Sequence, residues 1–95
     1  MPAYMIVNVE ITDAEKYEEY RKAAVPTVEA FGGKYLARGG RSEALEGDWI
    51  PNRLIVIEFE SVEKAKGWWG SEVYRAPKQM RHESANAQML VVEGV

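Results

Sequence analysis

From Ala3 to Ile11 the chain alternates, with Met5, Val7, Val9 and Ile11 on one side and Tyr4, Ile6, Asn8 and Glu10 on the other. A period of two reads as a β-strand. Thr12-Asp13-Ala14-Glu15 has capping-box spacing, which predicts a helix capped by Thr12. That helix presents Tyr17, Tyr20, Ala24, Val28 and Phe31 as its apolar stripe. Pro26 predicts a kink or restart near Val25, and Gly32-Gly33 a left-handed stop. Lys34 to Arg38 reads as a second strand. Gly39-Gly40 permits a bulge or bend, after which Arg41 to Glu46 are expected to continue the extended path into a hairpin. Arg53 to Glu60 forms a third strand, with Ile55, Ile57 and Phe59 opposite Leu54, Val56 and Glu58. Ser61 predicts a helix through Trp69, Ser71 another through about Ala85, and Gln88 to Glu93 a closing strand.

The order βαββαβ predicts an α+β, ferredoxin-like sandwich, a four-stranded antiparallel sheet with its helices on one face, as one domain over residues 1–95. Three strands carry large apolar residues on both faces: Tyr4 and Ile6 opposite Met5 and Val7, Leu54 and Val56 opposite Ile55 and Ile57, Met89 and Val91 opposite Leu90 and Val92. Helices on one face leave the other uncovered, so a homodimer with its sheets face to face is expected.

Composition sharpens this expectation. A chain of 95 residues with 46% hydrophobic side chains has a core, but a thin one, because folding at this size buries only about 65% of the extended surface. Twelve Lys and Arg against fifteen Asp and Glu give a net charge of −3 with no basic cluster, which argues against nucleic acid. The absence of cysteine removes disulfides, thiolate metal sites and thiol nucleophiles. No basic leader with an unbroken apolar run opens the sequence, and no stretch approaches membrane-spanning length. A cytoplasmic protein without a membrane partner is therefore expected.

The segments Ala30-Phe31-Gly32-Gly33-Lys34-Tyr35-Leu36-Ala37-Arg38-Gly39-Gly40, Leu45-Glu46-Gly47-Asp48-Trp49, Arg53, Glu58-Phe59-Glu60-Ser61, and Ala65 through Trp68 to Ser71 and Tyr74 resemble the domain-of-unknown-function family 1330. The resemblance extends through Val91-Val92-Glu93-Gly94-Val95. It implies a dimeric α/β barrel and no established reaction. Its superfamily includes cofactor-independent monooxygenases, haem-degrading enzymes, lactone isomerases and proteins without known catalysis.

Candidate chemistry is sparse. The two Gly-Gly pairs do not form a phosphate loop, since Gly32-Gly33 follows a helix instead of preceding one. Asn8 and Glu58 interrupt apolar strand faces. Glu58 fits either a general base with a raised pKa or an interface partner of Arg53, Arg38 or the other subunit. Val62, Ala65 and Trp69 share a helical face, which points to Trp69 as core and Trp68 as a pocket wall or a seal over the core. Tyr74 is placed to present its hydroxyl to the same cavity or to fill the core with its ring. Arg75, Lys78 and His82 form a basic stripe with Arg81 beside it, which reads as a solvated face or an anion-recognition surface. Arg81 and Arg53 are the preferred anion carriers, because guanidinium offers a fork to carboxylates. Haem-degrading relatives use a strand-one Asn, a Trp and a helical His, for which this chain has Asn8, Trp68 and His82. Alignment on Trp68 and Ser71 to Tyr74 places Lys78 at the haem-ligand position, a departure that weighs against haem. One histidine without thiolates is likewise a poor zinc set.

The expectation is a homodimer with a cavity between sheet and helices, binding or converting a small organic acid. Glu58 would be catalytic, Arg53, Trp68, Tyr74 and Arg81 would bind substrate, and no metal or cofactor is called for. The alternatives are a non-catalytic dimeric interaction module and a haem-degrading monooxygenase.

Overall fold

A computed structural model describes residues 1–95. The elements run β1 (Ala3–Ile11), α1 (Ala14–Ala30), β2 (Lys34–Arg38), β3 (Leu54–Phe59), α2 (Val62–Trp69), α3 (Glu72–Ser84) and β4 (Ala85–Glu93). The strands form one antiparallel sheet in the order β2-β3-β1-β4. Central β1 pairs with both β3 and β4, so a cross-strand row is set by register: Val56, Ile6 and Leu90 stand side by side, flanked by Glu58, Tyr4 and Val92 and by Leu54, Asn8 and Gln88. None of these nine residues is buried. The opposite face carries Met5, Val7, Val9, Ile55, Ile57 and Phe59, which join Tyr17, Tyr20, Ala24, Val28, Ala65, Trp68 and Tyr74 from the helices in the core. The fold is ferredoxin-like, and all three helices lie on that one face.

Local chemistry departs from the sequence reading at several points. Asp13, not Thr12, caps α1, because its carboxylate accepts from the Lys16 amide at 3.1 Å. The helix passes through Pro26 without a restart. Pro26 and Lys22 are both exposed, so the carbonyl left without its usual amide partner faces the solvent side. Residues 41–46 form no strand. They belong to an exposed connection between β2 and β3 on which Leu45, Trp49 and Ile50 project outward. The bulge in the sheet falls at Leu36, between the paired Tyr35 and Ala37, while the glycines supply the bend, at Gly39 with φ of 74°. β4 begins at Ala85, directly after α3.

The tryptophans of α2 are exchanged relative to the expectation. Trp68 is 1% exposed and Trp69 46% exposed. Ala65 is three residues from one and four from the other, so spacing permits both, and the decision comes from α1. Thr27 there accepts the Trp68 indole N–H at 3.0 Å and itself donates to the Ala24 carbonyl at 2.6 Å. Trp69 instead lies outside, with Lys78 Nζ 3.9 Å from its ring centroid.

Gly33 makes a tight approach between α1 and β3. A Cβ there would stand 2.6 Å from Val28 Cγ1 and 2.8 Å from Phe59 Cε1, both core atoms, whereas one on Gly40 would meet nothing within 4 Å. Gly33→Ala is expected to lower stability by about 1–3 kcal/mol through overpacking, and Gly40→Ala by less than about 0.5 kcal/mol, in urea unfolding of the two variants side by side.

Candidate functional site

Apart from Thr27 and Ser84, the buried polar groups of the helical layer lie along one line that crosses it. Tyr20 of α1 and Tyr74 of α3 share a hydrogen bond of 2.8 Å between their hydroxyls. Tyr74 Oη also accepts from Arg81 Nε, about two turns further along the same helix, at 3.3 Å. The Trp68 and Tyr74 rings pack at a centroid distance of 4.1 Å, and Phe59 continues the stack behind Trp68 at 5.6 Å. The Tyr74 and Trp68 rings are each held by a hydrogen bond, to Tyr20 and to Thr27, and by the stack itself.

Arg81 is the unusual member. It is 5% exposed, yet no carboxylate lies within ion-pair distance, and the bond to Tyr74 is its guanidinium's one hydrogen bond within the chain. Arginine remains charged at every accessible pH, and a buried cation ordinarily finds a carboxylate. The surrounding phenols do not supply a negative charge. Burial raises the Tyr20 hydroxyl well above the ordinary phenol range, with Tyr74 beside it adding to the shift. Tyr35 is pushed up to about 12 by burial, and Tyr17 is raised by burial against the opposing pull of Arg53.

Arg81 borders two spaces. The first is an inner cavity of about 20 Å³ between sheet and helices, walled by Tyr17, Tyr20, Tyr35 and Trp68 and bordered by Arg21 and Arg38. It has room for about one water. The second is an outer groove of about 490 Å³ formed by α2, α3 and β4.

Of the residues singled out from sequence, Trp68, Tyr74 and Arg81 come together in this network. Arg53 stands apart from the cavity walls, its guanidinium 5.8 Å from the centroid of Tyr17, which is one of them. Its Nε is buried without a partner. Gly39, with φ of 74°, allows this placement, since a Cβ there would lie 2.3 Å from Arg53 Nη1. Glu58 does not join the group. Alternation in β3 puts it on the helix-free face, beside Tyr4 and Lys34 in register, so the sheet separates it from Arg81. Asn8 shares that face and holds the β2–β3 connection, accepting the Asn52 amide at 2.9 Å. His82 is exposed, and Lys78 donates to the Trp69 carbonyl. The Asn8, Trp68 and His82 set is therefore split between the open sheet face, the core and the surface, and does not fit haem. Arg75 pairs at the surface with Glu72. Sequence reasoning does not reach Tyr20 or Thr27: Tyr20 reads as a core ring of the apolar stripe, and no local pattern indicates that its hydroxyl meets one on α3.

The model of a domain of unknown function, DUF1330, matches residues 2–95. This chain belongs to the DUF1330 family. No curated protein matches it. Among solved structures, the DUF1330 chain is similar to a protein of unknown function from Rhodopseudomonas palustris, with a TM-score of 0.80 at 21% identity over 99% of this chain and 82% of that one. It is also similar to a dimeric ferredoxin-like protein of unknown function from Jannaschia sp., with a TM-score of 0.67 at 9% identity over 99% of this chain and 100% of that one. A third is SnoaB, a cofactor-independent oxygenase from Streptomyces nogalater, with a TM-score of 0.66 at 5% identity over 99% of this chain and 93% of that one. At these identities the likeness is one of fold.

The raised phenols carry a pH signature. Tyr17, Tyr20 and Tyr35 hold their protons more tightly folded than unfolded. Their contribution to stability is therefore complete below about pH 10 and is lost as pH rises through the folded-state values. Phenolate absorbance at about pH 11 is expected to be smaller for the native protein than for the chain in denaturant. Equal absorbance in the two states would contradict the burial of these hydroxyls.

Proposed function

We propose that this DUF1330 protein is a homodimer in which each protomer binds a small organic acid at the layer between sheet and helices, with Arg81 receiving the carboxylate. The observation that carries the reading is Arg81, a residue 5% exposed whose side chain has no carboxylate partner and bonds within the chain through Nε alone. Tyr74 holds Arg81 Nε, which leaves the two terminal nitrogens of the fork for a ligand. Trp68 braces Tyr74 from behind. Arg53 contributes positive potential beside Tyr17 at the cavity wall. Glu58, across the sheet, has no part in this site. The inner cavity has room for about one water, so the body of an acid has to lie outside it.

The dimer rests on the helix-free face. Ile6, Val56 and Leu90 form an apolar row across three strands, with Tyr4 and Val92 beside it, and Leu90 and Val92 are 57% and 47% exposed. A second copy covers such a face with matching surface. A structural neighbour is itself described as dimeric.

Two measurements test the proposal. Benzoate is expected to raise the thermal midpoint while benzamide does not, and Arg81→Gln is expected to weaken benzoate binding roughly 10- to 100-fold, the worth of a charge-assisted hydrogen-bond pair. Equal effects of benzoate and benzamide would remove Arg81 from the role. Light scattering is expected to give twice the 10.7 kDa chain mass, falling to the chain mass in Ile6→Lys. A wild-type mass of one chain would refute the dimer.

A further inference from the structure

The outer groove differs from the inner cavity in size and in character. Its volume of about 490 Å³ falls in the range of small-molecule sites. Val62, Trp69 and Val91 contribute an apolar wall. Its charged and titratable residues are Lys66, Arg81 and His82, and no carboxylate borders it, in a chain whose Asp and Glu outnumber its Lys and Arg by fifteen to twelve. Arg81 is more than nine-tenths buried and lies where the groove meets the inner cavity, while Lys66 and His82 are exposed. β4, which forms one side, is an edge strand of the sheet. Cationic groups are thus combined with a long apolar wall, and the one buried cation lacks a counterion.

We propose that the groove between α2, α3 and β4 takes an amphiphilic monocarboxylate, with the head group on Arg81 and an unbranched apolar tail along Val62, Trp69 and Val91. The proposal rests on Arg81 as the acid receptor and adds to it a ligand class and the place of the ligand's body. A short or highly polar acid leaves the apolar wall wet. A neutral amphiphile leaves the guanidinium unpaired. A chain of several methylenes ending in carboxylate satisfies both, since each methylene removed from water strengthens binding by about fourfold. Lys66 and His82 add positive potential around the head without the fixed fork of Arg81.

The experiment compares octanoate, butyrate and octanamide on the intact protein by calorimetric titration. Two variants, Arg81→Gln and Val62→Glu, are titrated alongside. Val62 is the first residue of α2 and only half-buried, a position where an acidic side chain is compatible with the helix. Octanoate is expected to bind at least about tenfold more tightly than butyrate, octanamide at least about tenfold more weakly than octanoate, and each variant is expected to cost octanoate about tenfold. Equal binding of octanoate and butyrate, both lost in Arg81→Gln, would overturn the groove while leaving the acid receptor in place. Equal binding of octanoate and octanamide would overturn it in favour of apolar adsorption. Unchanged octanoate binding in Val62→Glu would overturn the placement of the tail, and no binding of either acid would overturn both this proposal and the receptor. A fall in light-scattering mass in Val62→Glu would identify the groove as a contact between copies of this chain and overturn it as well.

Discussion

A hydroxyl placed among aromatic rings must find a partner or forfeit about 1–3 kcal/mol, and Tyr20 and Tyr74 find each other across the two long helices. Much of the helical layer follows from that bond. It fixes the position of α3 relative to α1, and so fixes where Arg81 enters the layer, since Tyr74 Oη is also the acceptor for its Nε. It stacks Tyr74 on Trp68, whose indole N–H is then within reach of Thr27. The same close stacking explains why the inner cavity is small: the space between sheet and helices is filled with packed rings. Arg81 is the one charged side chain buried in this packed layer, and the roomier space that it borders lies between α2, α3 and β4.

The sheet divides the chemistry of the protein as firmly as it divides the apolar residues. On the helix side the polar groups are hydroxyls and a guanidinium, buried and mutually bonded. On the open side Asn8 and Glu58 stand among Tyr4, Ile6, Leu54, Val56 and Val92. Asn8 is used there to hold Asn52 and with it the base of the exposed connection. Alternation along a strand makes this separation absolute: a carboxylate at position 58 belongs to the open face as surely as Ile57 and Phe59 belong to the core.

That regularity is why most of the fold was legible in the sequence. Alternation along β1, β3 and β4 marked both faces of the sheet, whereas β2 is interrupted at Leu36 and shows no such period, and Ser61 and Ser71 marked the starts of α2 and α3. The helix faces were less legible. Trp68 and Trp69 differ by about 100° around α2, and either fits a stripe through Ala65. What decides between them is Thr27, forty-one residues away. Arg81 was named for its guanidinium chemistry, but its burial depends on Tyr74 and on the way α3 packs against α1 and β4, which no local pattern records. Glu58 was readable as a polar interruption, and the strand parity already separated it from the helix side. A role beside Arg81 would need its carboxylate on the helix side of the sheet, and parity puts it on the other.

The junction between α3 and β4 contains no connecting residue. Ser84 ends the helix and Ala85 begins the strand, while the Ser84 carbonyl accepts the amides of both Thr12 and Asp13 at 2.8 and 3.0 Å. Helix, strand and the corner leading into α1 are therefore joined as a rigid crank. Because β4 pairs with β1 from its first residue, Ala85 opposite Ile11, the corner that sets Arg81 one turn earlier on α3 also sets the register of the sheet's edge strand.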